Sequence, residues 1–191
     1  MKTLLCAALI VLSCGFAVGQ QYKVLYSFAG LQSGDGSQPL GDLVLDRSGN
    51  LYGTTLGGGN SVCSGCGTVF QLSPNADGSW TETVLYTFCS NVVNFQCLDG
   101  TFPRAGLVLD GAGNLYGTTS DGGNQACTIG SCGVVFQLSP PSVPGGSWAE
   151  TVLYNFCSNE VNHQCLDGNN PQSQLARDAA GNSLCPSVRP G

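Results

Sequence analysis

The sequence predicts an all-β fold of antiparallel, four-stranded repeats set in a partial β-propeller-like array of about two and a half blades. Three observations predict it. Residues 41–59 read GDLVLDRSGNLYGTTLGGG and residues 106–123 read GLVLDGAGNLYGTTSDGG, while a third copy begins at Gln174 as QLARDAAGN. A repeat of this length marks stacked supersecondary units that cannot bury their apolar faces alone. The apolar runs are short, rich in Val, Leu, Tyr, Phe and Thr, and carry no helical period. Between them stand the turn tetrads Asp46-Arg47-Ser48-Gly49 and Asp110-Gly111-Ala112-Gly113, each followed by Asn, where Gly and Asn tolerate positive φ.

Residues 1–19 open with Lys2, run through LLCAALIVLSCGFAV, and offer Ala17 and Gly19 as small residues before Gln20. This is the pattern of a removable signal peptide. The run is shorter than the ~20 residues a spanning helix needs, and no basic stop follows it. A lipoprotein reading would use Val11-Leu12-Ser13-Cys14, but Leu12 is bulky where a small side chain is usual, so free secretion is preferred.

The strands of the first repeat are residues 24–28 (VLYSF), 43–46 (LVLD), 51–55 (LYGTT), 68–73 (TVFQLS) and 83–88 (TVLYTF). Leu43 to Leu107 and Tyr52 to Tyr116 are 64 apart, Phe70 to Phe136 is 66 and Trp80 to Trp148 is 68, so insertions fall only between the runs. Gly53 and Gly117 sit inside LYGTT, where glycine permits close backbone approach, and LYGTT is therefore read as the innermost strand. The repeat region is 20–182, divided at about 22–82, 83–150 and 151–182. After Asn182 the register breaks into SLCPSVRPG, so residues 183–191 are read as a divergent, disordered tail and the chain as a fragment. The strand at 174–178 would then lack a partner and invite self-association.

The pattern read from Asp99 to Gly123, D-G-x-x-P-x-x-G-L-V-L-D-x-x-G-N-L-Y-G-T-T-x-x-G-G, resembles the Gloeo/Verruco (GloVer) tandem-repeat family of exported bacterial proteins. The resemblance is close over two repeats and runs to about Asn182. It implies a propeller-like array at or outside the cell surface, and it brings no catalytic residue to carry over.

Without the leader, five basic residues face twelve acidic ones, a net charge of −7. Nucleic acid and anionic membranes are therefore poor partners. Charged residues are only 9% of the chain, which leaves the surface to Ser, Thr, Asn, Gln and Gly and suits a polysaccharide or other cell-surface polymer as partner. Of eleven cysteines, Cys6 and Cys14 leave with the leader. Cys89 and Cys97 return as Cys157 and Cys165, whereas the first repeat has Ala29 and lacks both members together, as a bonded pair would. Cys63 and Cys66 occupy the loop that later holds Cys127 and Cys132, with C-x-x-C widened to C-x-x-x-x-C. A redox dithiol or zinc knuckle is sensitive to that spacing and a bridge across a loop neck is not, so four loop-local disulfides are expected, with Cys185 left over.

Catalysis has little to work with. The one histidine, His163, has Phe95 as its counterpart, which reads as loop packing rather than proton transfer. Asp46, Asp110 and Asp178 recur in D-x-x-G-N turns, and Asp35, Asp99 and Asp167 in D-G turns. Self-capping of the turn explains them better than a calcium loop without its bidentate Glu. No catalytic, cofactor or metal residue is assigned. Trp80 and Trp148, beside Gly-Ser loop tips, are the first candidates for stacking on a ligand. The function read from sequence is an exported, non-enzymatic structural or adhesive module. The alternatives are a carbohydrate-binding module using the tryptophans, or a fragment of a larger propeller enzyme.

Overall fold

The computed structural model describes residues 23–30, 34–59, 65–123, 132–178 and 183–184. The leader, Cys63, Cys127, Cys185 and residues 185–191 lie outside the described residues. All regular structure described is β, and among the described residues no helix is long and apolar enough to cross a membrane.

In the first repeat the strands are β1 (Gly36–Ser37), β2 (Val44–Leu45), β3 (Leu51–Thr55), β4 (Gly57–Gly58), β5 (Thr68–Pro74) and β6 (Trp80–Thr87). The second has β7 (Val92–Val93), β8 (Gln96–Cys97), β9 (Val108–Leu109), β10 (Leu115–Thr119), β11 (Val134–Ser139) and β12 (Ala149–Asn155). The third begins with β13 (Glu160–Val161), β14 (Gln164–Cys165), β15 (Ala176–Arg177) and β16 (Ser183–Leu184). Two four-stranded antiparallel sheets result, in the orders β2-β3-β5-β6 and β9-β10-β11-β12. Their registers correspond: Gly53 faces Phe70 and Gly117 faces Phe136, and the last two strands of each sheet share a bulge, at Val69/Phe70 and Val135/Phe136.

The hairpin turns obey local chemistry. Asp46 Oδ1 accepts from the N–H groups of Ser48 and Asn50 at 2.8 Å each, and its Oδ2 accepts from Asn50 Nδ2 at 2.8 Å and the Tyr52 hydroxyl at 3.0 Å. Asp110 repeats all four contacts with Ala112, Asn114 and Tyr116. Gly49 and Gly113 take φ of 88° and 89°, where a side chain would be strained. Burial alone would raise the Asp110 carboxyl, but donors from Asn114, Tyr116 and Ala112 pull it down to about 2. Both oxygens are thus satisfied within the turn.

Three expectations are corrected. Residues 24–28 form no strand; lacking a neighbour of the β5 type among the described residues, they attach by side chains, Phe28 meeting Phe70 edge-on at 4.9 Å and Tyr26 donating to Asp35 at 3.2 Å. LYGTT is the second strand of each sheet, hydrogen-bonded on both sides, and not the innermost. The strand near 174–178 is not unpaired, because Ala176 faces Leu184 and Arg177 faces Ser183, so the tail read as disordered contributes β16 at its start. A backbone ladder needs the hairpin turn, not the LYGTT side chains, to form.

Adjacent repeats are stacked through shared core. Tyr52, Val69, Phe88, Leu107, Leu115 and Phe136 belong to one buried cluster, and Phe88 of the first sheet's last run meets Phe136 of the second at 5.1 Å. Polar ties reinforce it: Thr54 Oγ1 donates to the Ala105 carbonyl at 2.9 Å and the Phe102 N–H to the Cys66 carbonyl at 2.8 Å. The next junction copies these ties with Thr118 to Ser173 and Asn170 to Cys132. Backbones also approach closely here. A Cβ built on Gly41 would lie 2.6 Å from the Ala105 carbonyl carbon, and one on Gly106 2.7 Å from the Asp42 oxygen.

Candidate functional site

The most distinctive local structures are two short hairpins standing off the sheets, β7–β8 and β13–β14. Each grows from the same sequence logic. A run of two residues pairs antiparallel with another two, Val92 facing Cys97 and Val93 facing Gln96 in the first, Glu160 facing Cys165 and Val161 facing Gln164 in the second. The two linking residues, Asn94-Phe95 and Asn162-His163, all have positive φ, between 49° and 63°. That is the mark of a type I′ turn, whose twist matches the strands and whose preferred residues are Asn then Gly.

The base of each finger is fixed in three ways. A disulfide joins Cys89 to Cys97 and another joins Cys157 to Cys165, each with Cα atoms 4.6 Å apart. Inside the first, the buried Asp99 carboxylate accepts from the Tyr86 hydroxyl at 2.7 Å and from the N–H groups of Ser90 at 2.8 Å and Asn91 at 3.3 Å. Leu98 N–H closes the neck on the Asn91 carbonyl at 2.8 Å. Asp167 does the same with Tyr154, Ser158 and Asn159, and Leu166 with Asn159. The bond to Asp167, with burial, pushes the Tyr154 phenol up to about 12; burial and Asp99 raise Tyr86 as well. Sequence reasoning took Asp99 and Asp167 for caps of their own D-G turns and missed this longer reach. Its signal was available, since Tyr86 precedes Asp99 and Tyr154 precedes Asp167 by 13 residues each.

Loop packing, expected for Phe95 and His163, is overturned. Phe95 is 102% exposed and the His163 side chain 84% exposed, because the central residues of a two-residue turn project beyond both strands. His163 Nδ1 lies 3.5 Å from Glu160 Oε1. Trp80 and Trp148 are instead half-buried, and Trp148 packs on the shared core with its ring 6.4 Å from that of Tyr52 in the preceding repeat. A groove of about 450 Å³ lies between the two D-x-x-G-N turns, lined by Val44, Arg47, Tyr52 and Leu109, but the Tyr52 hydroxyl there is already engaged by Asp46.

The metal question concerns sulfur. The Sγ atoms of Cys66, Cys89 and Cys97 lie within 4.8 Å of one another, and so do those of Cys132, Cys157 and Cys165. All six are disulfide-bonded, so none offers the thiolate that a soft metal requires. The expected partners of Cys66 and Cys132, namely Cys63 and Cys127, fall outside the described residues. Each cluster therefore stacks a finger's bridge against the bonded sulfur of the loop beside it. Replacing Cys89 and Cys97 together by Ala is expected to reduce stability by about 1–3 kcal/mol, modest because the closed loop is short. Cleavage by a protease within residues 90–97 should rise far more than global unfolding, since Asp99 still anchors the neck.

Residues 15–187 match a family model described as the Gloeobacter/Verrucomicrobia repeat. A search of curated proteins finds no match.

Proposed function

Since the chain belongs to the Gloeobacter/Verrucomicrobia repeat family, we propose that it serves as an exported, non-enzymatic module, structural or adhesive, whose propeller-like stack displays the hairpin fingers to a partner at or beyond the cell surface. The observation that carries this reading is the repetition of a finger held by a bridge, a carboxylate and a backbone neck, with its tip ring exposed. Rigid display of an exposed side chain lowers the ordering entropy of binding. The radial arrangement is supported by the backbone approach of Gly41 and Ala105-Gly106, which suits units converging on an axis. Disulfides fit an oxidising compartment. The recurring carboxylates support the non-enzymatic reading, because Asp46, Asp110, Asp99 and Asp167 are all occupied by donors of their own repeat.

The test is adhesion. Beads coated with the full chain should attach to bacterial cells or to extracted surface polymer, and a double variant, Phe95→Gly with His163→Gly, should attach far less at unchanged melting temperature or higher. Equal attachment by the double variant would refute the role given to the fingers.

A further inference from the structure

We infer that the finger tips are subsites for a neutral polysaccharide, Phe95 and His163 each offering a ring to a sugar face between two free carboxamides; this rests on the adhesive reading and names its ligand. The tips read Asn94-Phe95-Gln96 and Asn162-His163-Gln164, so an aromatic ring is bracketed both times by Asn and Gln. None of the four carboxamides makes a hydrogen bond among the described residues. Phe95 is wholly exposed, with Val92 and Val93 also about two-fifths exposed beneath it.

Backbone conformation says why the ring is there. At the second position of a type I′ turn glycine is the relaxed residue, and Phe95 at φ 63° and His163 at φ 62° hold bulky side chains in the left-handed region. Folding alone would select Asn-Gly. A strained residue whose ring is held out in solvent, Phe95 wholly and His163 beside Glu160 of its own finger, is explained by what the ring meets outside the fold.

The chemistry of the pair then narrows the partner. An apolar receptor or a lipid interior would accept Phe95 and reject an imidazole, but both rings can stack on the C–H face of a pyranose. Carboxamides donate and accept, as sugar hydroxyls do. A chain with twelve acidic residues and six basic ones disfavours sulfated or uronic polymers, which leaves neutral glycans. Two such tips on one rigid stack would add by avidity along a polymer.

Affinity electrophoresis of the full, disulfide-bonded chain through gels containing hydroxyethyl cellulose, galactomannan or soluble starch, with dextran sulfate as the anionic control, tests this directly. At least one neutral polymer should retard the protein, and Phe95→Gly should weaken that binding about tenfold, while Phe95→Trp keeps it. Phe95→Gly should also melt no lower than the parent, which separates loss of a ligand contact from loss of fold. Retardation by dextran sulfate alone, by no polymer at all, or undiminished in Phe95→Gly, would overturn the glycan assignment. If finger-dependent bead adhesion persisted in that event, the adhesive reading would stand with a different ligand; if adhesion ignored the fingers, both would fall.

Discussion

Gly41→Ala and Gly106→Ala are each expected to lower stability by about 3 kcal/mol, more than any single change in the Asp46 or Asp110 turns. The added Cβ at Gly41 would stand 2.6 Å from both the Ala105 carbonyl carbon and the Gly106 nitrogen. At Gly106 it would stand 2.7 Å from the Asp42 oxygen and 3.0 Å from its nitrogen. Backbone cannot rotate away as a side chain can, so relief requires the two repeats to separate, and the shared Phe88–Phe136 core would loosen with them. Gly53 and Gly117 make an instructive comparison. A Cβ there would meet the ring of Phe70 or Phe136 and the tip of Leu43 or Leu107, all side-chain atoms at 2.6–3.0 Å. Alanine at these positions should therefore be milder, and valine severe. A turn variant such as Asp46→Ala loses bonds near the surface and should cost only about 1 kcal/mol. Chemical denaturation that ranks Asp46→Ala below Gly41→Ala in stability would refute the backbone contact as a tight point between repeats.

What the sequence discloses here is what is local. The D-x-x-G-N turns follow from residues that cap themselves, and the four strands of each sheet follow from period and composition, so both were readable. Residues 24–28 (VLYSF) differ from 84–88 (VLYTF) only by Ser for Thr, yet only the latter stretch lies in a strand, as far as Thr87, because strand formation depends on a neighbour that lies elsewhere. Ser183 and Leu184 show the converse, pairing with β15 although nothing in their side chains announces it. Gly53 looked like the point of closest approach since it interrupts an apolar run; Gly41 does not interrupt one, and its contact is made by a repeat 65 residues on. The finger tips were hidden for another reason. A Phe in a loop is read as packed by default, and only the turn geometry shows that position 95 projects into solvent.

Raising the pH from about 4.5 to 8 should destabilise the protein, and Glu82→Gln with Glu150→Gln should remove much of that loss. Trp80, Glu82 and Val84 alternate on one face of β6, and that face points inward, so Glu82 is carried toward the sheet interior; Glu150 occupies the same place on β12. In both, Oε1 is buried with no hydrogen-bond partner among the described residues. Burial first, then the charge of Asp35 beside Glu82 and of Asp99 beside Glu150, pushes each carboxyl up to about 7 from an ordinary 4.5. Below 4.5 folded and unfolded chains are both protonated and nothing is lost. Between 4.5 and 7 the unfolded chain gives up its proton while the folded one keeps it, so stability falls as pH rises, and above 7 the full penalty remains. With solvent screening of these half-buried groups allowed for, the penalty is about 1 kcal/mol per glutamate. The self-capped Asp110 works the other way, at lower pH: held down at about 2, it supports the fold above its unfolded range near 4 and loses that support as pH falls through 2. Stability should therefore peak near pH 4–5. Such glutamates persist for a reason that the sheet order supplies. β6 and β12 are the outer strands of their sheets, and an inward-pointing charge on an outer strand discourages another chain from pairing there. The Gln pair should accordingly melt higher at pH 8 yet associate more readily at high concentration, measured by light scattering. A double variant that melts lower at pH 8 than the parent would mean that the glutamates hold the fold as ions and that the sign of the linkage is the opposite.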